Sequence, residues 1–541
     1  MTTTHTEKVE HLSRVDTVVI GDGRKRSVDE AFEYLRNHAD NSGAEAINLR
    51  QLRRKIDYRI IPLQFFICGL QFLDKFLLNY AIIMGLPEDL KLQGNQLNNI
   101  ASSLWWAYLI TTPFIGLLLN KLPLGKFLGG NMFLWGIVIA CTAAVKNYPQ
   151  LIAVRILMGI TDAGMPPSLM LMSSQYYRKD EQAMRFAIWF SSVGCAMIAG
   201  GLISFGFQFV DSDVMASWRI MYLVLGLLSW IVGVLSFWKL PDSPMTATFL
   251  NDAEKVALIH HVSVNQTGIT SKKFQPNQLR DLFLDPQVYL IFFLTLLVST
   301  GSGILTVYAT TIIKGFGFTS KEAALLHMPS GLIAIITAFL GAYAVRYHYL
   351  TRWTISILGY SASLLGASLV AFAPHSNRAA QLAGVYLVYF SLFTVGIKFQ
   401  WTAANVAGHT KRTLATAMMS GAFAIGNICA PYAVQRKDAP RFQTGKNVLM
   451  ATKAGAIGIL CVLGTYYVWS NRRRDAKYGK VVKPVEEGSM TSVVGEEEGG
   501  SLGDVVTNTN SMSTTRTTTG EREEVWENLT DRERKSFRYV Y

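Results

Sequence analysis

Charged residues are scarce in this 541-residue chain, where 16% of the positions are Asp, Glu, Lys or Arg and 50% are hydrophobic. Soluble domains usually carry about 25% charged residues, so the composition argues against a soluble enzyme. Cysteine is also rare, and no two cysteines have CxxC spacing. The five fall inside apolar runs: Cys68, Cys141, Cys195, Cys429 and Cys461. They indicate small buried residues rather than disulfides or metal ligands, and no cofactor is expected.

Two further signals are missing. The first 49 residues are polar and lack the short apolar core and cleavage site of a signal peptide, which predicts a cytosolic N-terminus. No glycine motif follows a predicted strand, so a nucleotide site has little support. The net charge of +13 resides in short Lys and Arg clusters between apolar runs. That arrangement is typical of membrane orientation, and no nucleic-acid partner is expected.

Long apolar runs dominate what remains. A helix needs about 20 mostly apolar residues to cross a bilayer, and twelve runs qualify. They are 60–84, 100–119, 127–145, 151–172, 186–209, 220–238, 288–313, 323–345, 353–373, 379–401, 414–433 and 448–469. Two groups of six, nearly equal in length, predict an all-α polytopic membrane protein with 12 transmembrane helices in two six-helix bundles, the layout of the major facilitator fold.

This pattern divides the chain into five regions. Residues 1–59 form an N-terminal region, 60–238 the first bundle, 239–287 a central loop, 288–469 the second bundle, and 470–541 a largely disordered tail rich in Ser, Thr, Gly and Glu. The short loops alone do not decide the orientation. Basic clusters flank the first and last spans, at Arg50, Arg53, Arg54, Lys55 and Arg59 and at Arg472, Arg473, Arg474, Lys477 and Lys480. They predict that both termini and the central loop are cytosolic.

Five ionisable residues lie within predicted spans: Asp74 and Lys75 in the first, Arg155 and Asp162 in the fourth, and Lys398 in the tenth. Each costs about 2.5–3.5 kcal/mol at a helix centre, which calls for a partner or a function. At about 1.5 Å per residue, the first four lie at depths that can share one cavity. Lys398 is near a span end, and the sequence favours equally two roles for it: its side chain extends to water, or it contacts the substrate.

Two interpretations of the central charges stay open. They are ion pairs that merely lock the first span to the fourth, or their surplus positive charge attracts a carboxylate while a buried acid carries a proton. Asp162 is the preferred proton carrier, because it is deeper and has no adjacent base, and Asp74 is the second. Breakers at Pro166 and Pro167 in the fourth span are consistent with a cavity, and the glycines 194, 200 and 201 indicate close helix packing.

Several strings resemble the fungal allantoate permease family, within the anion:cation symporter branch of the major facilitator superfamily. They are Leu73-Asp74-Lys75 with Asn79-Tyr80-Ala81, Pro241-Asp242-Ser243-Pro244, Asn265-Gln266-Thr267-Gly268, Lys437-Asp438-Ala439-Pro440-Arg441 and, most specifically, Asn405 to Arg412. The resemblance implies proton-coupled uptake of a small organic anion, such as allantoate, ureidosuccinate or nicotinate, through the plasma membrane. It also implies that Asp74, Lys75 and Asp162 occupy proton- and carboxylate-binding positions. The gating loop of such transporters corresponds to Gly116, Asn120 and Lys121, where Asn120 replaces an acidic residue.

The sequence therefore predicts a symporter in which an anion binds between the bundles and Asp74 and Asp162 carry protons. The predicted substrate contacts are Lys75, Arg155, Lys398, Asn405, Tyr308, Gln400 and Trp401. A monomer in the lipid bilayer, with protons as the coupling ion, is expected. The alternative is a transporter-like nutrient sensor with little net flux. An enzyme is not expected, since no nucleophile and base or metal cluster occurs at matched depth.

Overall fold

The described part of the chain is helical throughout, with no strand. The computed structural model describes residues 47–119, 121–210, 214–263, 276–346, 351–374, 376–392, 394, 401, 405–407, 409–435, 438–439, 441–479, 531 and 539. Ten helices within these ranges are long and apolar enough to cross a membrane. The predicted all-α, multi-pass class is therefore confirmed.

The residues described up to 263, which cover the first bundle and the start of the central loop, form ten helices. They are α1 (Leu49–Ile83), α2 (Leu86–Asp89), α3 (Gln96–Leu119), α4 (Leu124–Thr142), α5 (Tyr148–Asp162), α6 (Met165–Tyr176), α7 (Lys179–Phe190), α8 (Ser192–Phe207), α9 (Ser217–Lys239) and α10 (Asp252–Ser263). The predicted fourth span is therefore two helices, α5 and α6, and the predicted fifth span is α7 and α8.

The second bundle follows a further loop helix, α11 (Pro276–Leu284). Its helices are α12 (Pro286–Lys314), α13 (Ser320–Arg346), α14 (Arg352–Phe372), α15 (Arg378–Val388), α16 (His409–Cys429) and α17 (Gln443–Tyr478), with 3₁₀ turns at Tyr389–Ser391 and Ala430–Ala433. Most of the predicted tenth span after Ser391 lies outside the described residues. Both α1 and α17 extend beyond the predicted apolar runs, because helical backbone bonds continue into polar sequence outside the bilayer.

Short polar side chains set where several helices begin. Asn147 accepts a hydrogen bond from the backbone N–H of Gln150 at the start of α5, and Asp285 accepts one from Gln287 at the start of α12. These contacts satisfy N–H groups that the first helical turn leaves without partners. In the central loop, the Asn251 N–H donates to Glu254 Oε2 at 2.9 Å, just before α10 begins.

Glycines let helix backbones touch where bulkier residues would clash. A Cβ on Gly129 of α4 would lie 2.3 Å from the backbone nitrogen of Phe237 on α9. Between the bundles, a Cβ on Gly194 of α8 would lie 2.4 Å from the carbonyl oxygen of Gly331 on α13. The predicted close packing of α8 is therefore confirmed, and it joins α8 to α13 of the other bundle.

We call the side where α1 begins and α17 ends the terminal face, and the other side the opposite face. Hydrogen bonds between the bundles cluster toward the opposite face. Thr310 Oγ1 of α12 donates to Asn79 Oδ1 of α1 at 2.7 Å, and Ser102 Oγ of α3 donates to the Ile428 carbonyl of α16 at 2.9 Å. The bundles are thus held together at this end.

Two residues of the C-terminal tail are packed against the terminal face. Asp531 is buried and accepts a hydrogen bond from Lys411 Nζ at 2.5 Å, while the Tyr539 ring stacks on Tyr467 of α17 with centroids 5.1 Å apart. The sequence predicts a largely disordered tail, so these positions depart from that expectation. Composition alone misses them, because their partners lie on helices more than 60 residues away.

Candidate substrate and proton site

The site is built where α1 passes the break between α5 and α6. Pro166 and Pro167 have no N–H to donate back into the preceding turn, and α5 ends at Asp162. The Asp162 carboxylate therefore lies at a helix end within the predicted fourth span, facing α1. The breaker predicted from the two prolines interrupts the span beside the central charges.

Lys75 and Asp162 form a buried ion pair between α1 and α5. Lys75 Nζ lies 3.0 Å from Asp162 Oδ2, and Gln71 Nε2 donates to Asp162 Oδ1 at 2.5 Å. Gln71 stands one helical turn before Lys75, so both side chains reach the same carboxylate. The Lys75 ammonium also lies 4.8 Å from the Phe72 ring centroid and 5.3 Å from that of Trp105. Asp162 is therefore neutralised and hydrogen-bonded here.

The Asp74 carboxylate, unlike that of Asp162, is buried without a hydrogen-bonding partner in the described part of the chain. Its side chain is 1% exposed, and neither carboxylate oxygen has a hydrogen-bond partner among the described residues. Adjacent helical positions diverge by about 100°, so Asp74 does not share the Lys75 side of α1. The charged groups that interact with it electrostatically are Arg155, Asp162 and Lys75. A buried carboxylate without a donor is costly, and such a group calls for a functional explanation.

Arg155 of α5 is also only partly satisfied. Its Nη2 donates to the Tyr222 hydroxyl of α9 at 2.9 Å, while its Nε has no partner within the described part of the chain. The guanidinium is 2% exposed. The site therefore holds an unused acceptor, Asp74, together with an unused donor, Arg155 Nε. A proton would remove the charge of the first, and an oxygen atom would accept a hydrogen bond from the second.

The other predicted contacts lie elsewhere or outside the described residues. Lys398 and Gln400 are not among the described residues. Trp401 packs in the second bundle, with its ring centroid 6.3 Å from that of Tyr467. The Asn405 carbonyl accepts from Gln287 Nε2 at 3.3 Å, near the start of α12 at the terminal face. The described contacts of Trp401 and Asn405 therefore place them in the second bundle and do not bring them to Lys75.

Tyr308 belongs to the opposite face. Its hydroxyl donates to Asn98 Oδ1 of α3, and it lines a cavity of about 430 Å³ with Leu97, Thr311 and Lys314. The cavity is a vestibule between the bundles, so Tyr308 is not part of the central charge cluster. In the predicted gating loop, Gly116 and Lys121 are exposed and Asn120 is not described, so the described residues give this loop no salt-bridge latch.

Sequence reasoning missed several polar partners. Gln71, Tyr222 and His327 are buried within spans and bond to site or interface residues. The signal for Gln71 was its spacing of four from Lys75. Neutral Tyr and His side chains do not stand out in an apolar run as Asp, Lys and Arg do, so the sequence gives no clear signal for Tyr222 and His327. Lys453 is likewise buried, in α17, and donates to Ser391 Oγ at 3.0 Å.

Comparison with known proteins agrees with this architecture. The profile of the Major Facilitator Superfamily matches residues 65–432. The thiamine pathway transporter THI73 of Saccharomyces cerevisiae is 35% identical over 427 residues, which cover 78% of this chain and 80% of that protein. The allantoate permease of the same yeast is 28% identical over 462 residues, covering 83% and 84%.

A solved structure shows the same fold. The inward-facing, unoccupied form of a bacterial homologue of the human lysosomal transporter Spinster superposes with a TM-score of 0.57 at 14% identity, covering 76% of this chain and 96% of that one. The chain belongs to the major facilitator superfamily, a class of multi-pass membrane transporters. Within it, the predicted resemblance to the fungal allantoate permease family is confirmed, and the expectation of a transporter rather than an enzyme agrees with the names of its relatives.

Proposed function

We propose that this protein is a secondary active transporter that carries a small organic anion together with a proton by alternating access. The terminal face, with its flanking basic clusters, is cytosolic, and the protein resides in the plasma membrane. The observation that carries this proposal is that two oppositely charged groups buried in the first bundle, the Asp74 carboxylate and Arg155 Nε, have no hydrogen-bond partner among the described residues.

Charge balance supports coupling between the two ligands. With all four groups ionised, Asp74 and Asp162 offset Lys75 and Arg155. Protonation of Asp74 removes an unpaired buried charge and leaves one surplus positive charge. A monocarboxylate that binds Arg155 then restores neutrality and supplies the acceptor that Arg155 Nε lacks. Each ligand therefore makes the site more favourable for the other, which is the requirement for symport.

A purely structural role for these charges explains less. An ion pair that locks α1 to α5 accounts for Lys75, Asp162 and Gln71, whose bonds complement one another. It leaves Asp74 without a reason to be acidic, since an amide or apolar residue would avoid the desolvation cost. The structural pair and the functional acid are thus neighbours on α1 with different tasks, and Asp74 replaces Asp162 as the preferred proton carrier.

The relatives favour a small metabolite as substrate. The name of the allantoate permease specifies a carboxylate, which suits a site with a surplus positive charge, whereas the name of THI73 specifies only a thiamine pathway. We therefore propose a nitrogen-containing carboxylate of low molecular mass as the substrate class. The large vestibule at the opposite face would admit a molecule of this size.

Uptake into proteoliposomes tests the proposal. Labelled allantoate, ureidosuccinate and nicotinate are offered with and without an inward proton gradient. The proposal expects accumulation of at least one of them, driven by the gradient. Arg155→Lys keeps the charge but removes Nε, so it should raise the apparent substrate constant about tenfold, the effect of losing one charged hydrogen bond. Saturable binding without flux would instead identify a sensor.

A further inference from the structure

A buried histidine connects the two bundles through both nitrogens of its ring. His327 of α13 has no exposed surface; its Nδ1 lies 3.0 Å from the Tyr80 hydroxyl of α1, and its Nε2 lies 2.9 Å from the Tyr389 hydroxyl. Tyr80 belongs to the first bundle, whereas His327 and Tyr389 belong to the second. The Nδ1 bond therefore crosses the interface between bundles, and the Nε2 bond does not.

The hydrogen-bond partners determine which nitrogen carries the proton. The Tyr80 hydroxyl donates its single proton to the Met197 carbonyl of α8 at 3.0 Å. It can then only accept from His327, so Nδ1 must carry a hydrogen atom. In the neutral ring Nε2 is left as an acceptor, and Tyr389 donates to it. The four groups form one directed chain, from Tyr389 through His327 and Tyr80 to Met197.

Small residues beside Tyr80 and His327 leave room for the contact between them. A Cβ on Gly200 of α8 would lie 2.7 Å from the Tyr80 ring, and a Cβ on Gly201 would lie 2.6 Å from Met328, the residue after His327. Phe76 packs edge-on against the imidazole, with centroids 6.3 Å apart. The two glycines thus provide the space in which α1, α8 and α13 meet.

We propose that His327 is a positioning residue of the transport cycle, which holds the opposite face closed through its Nδ1–H bond to Tyr80. Opening of that face separates the bundles and breaks this bond, while the Tyr389 bond moves with the second bundle. The inference rests on the proposed alternating-access function. It differs from the proton role of Asp74, because the imidazole selects a conformation rather than a ligand.

Cysteine accessibility tests this role without substrate or a proton gradient. In a chain whose five cysteines are replaced by Ser, Ser102→Cys places a thiol at the buried interface between α3 and α16. A maleimide reagent reaches it when the opposite face opens. Tyr80→Phe removes the bond between bundles and should raise the labelling rate about fivefold, the effect of losing one hydrogen bond. Tyr389→Phe is the matched control and should leave the rate near that of the parent.

Two substitutions of His327 itself sharpen the test. His327→Asn keeps an amide N–H near the Nδ1 position and should label like the parent, whereas His327→Gln reaches only the Nε2 position and should label like Tyr80→Phe. Equal rates for the two His327 variants, or a parental rate for a folded Tyr80→Phe, would overturn the proposal. Because no substrate is used, failure here leaves the symport proposal to its own uptake experiment.

Discussion

The two bundles bury charge in different ways. In the first bundle, Asp74 and Arg155 Nε lie within the spans and lack partners among the residues described. In the second, Lys411 lies at the terminal face and bonds to Asp285 Oδ2 at 2.7 Å and to Asp531 Oδ1 at 2.5 Å. The first set contains charged groups without a hydrogen-bond partner in the described part of the chain and lies within the spans, whereas the charged groups of the second set are paired with one another and lie at the terminal face.

Neighbouring side chains add hydrogen bonds to the charged groups of the second cluster. Gln287 Nε2 donates to both carboxylates, and the Tyr539 hydroxyl donates to Asp531 Oδ2 at 2.8 Å. The Asp531 carbonyl accepts from Arg474 at 2.8 Å. Charged groups that are paired in this way stabilise one arrangement, whereas a buried charged group without a partner has capacity left for a ligand. Burial of charge therefore indicates function here only where the hydrogen bonds are unfinished.

The largest expected effect is on stability in the first bundle. Lys75→Met leaves Asp162 buried without its cation and should lower the free energy of unfolding by about 3–5 kcal/mol. The double variant Lys75→Met/Asp162→Asn removes both charges and should recover most of that loss. Thermal unfolding in detergent measures the difference. Equal instability of the single and double variants would contradict the ion pair.

A substitution in the charged cluster of the second bundle should lower the stability of the protein without lowering its transport activity. Asp531→Ala removes a hydrogen-bonded carboxylate yet leaves the Lys411–Asp285 pair, so the cost should be about 1–3 kcal/mol. Lys477→Ala, at an exposed position of α17, is the matched control. Uptake per folded molecule should match the parent. A normal melting temperature for Asp531→Ala would show that the tail is not part of the bundle.

The smallest effect is expected at the surface. Partial burial opposes ionisation of Glu254, but hydrogen bonds from Lys55 and the Asn251 N–H outweigh it, so its pKa lies below its usual value. The stabilisation is therefore present above the usual pKa and lost as the pH falls through the lowered one. Glu254→Gln should cost less than about 1 kcal/mol at pH 7. A loss that stays constant down to pH 3 would exclude this origin.

Much of the architecture follows from sequence, because long apolar runs have few alternatives in a bilayer. The positions of Asp74, Lys75, Arg155 and Asp162 also follow, since unpaired charge is rare in such runs. Which of these charged residues pair with one another does not follow from the sequence. Whether Lys75 meets Asp162 or Asp74 depends on helix rotation, and sequence depth gives no rotation. The tail contacts of Asp531 are equally inaccessible, because they join residues that no local pattern connects.

The claim that Asp74 carries the coupled proton has one direct test. In proteoliposomes, Asp74→Asn and the parent are compared for substrate counterflow, which needs no net proton movement, and for accumulation driven by an inward proton gradient. Asp74→Asn should keep counterflow and lose gradient-driven accumulation. Gradient-driven accumulation equal to that of the parent would contradict it.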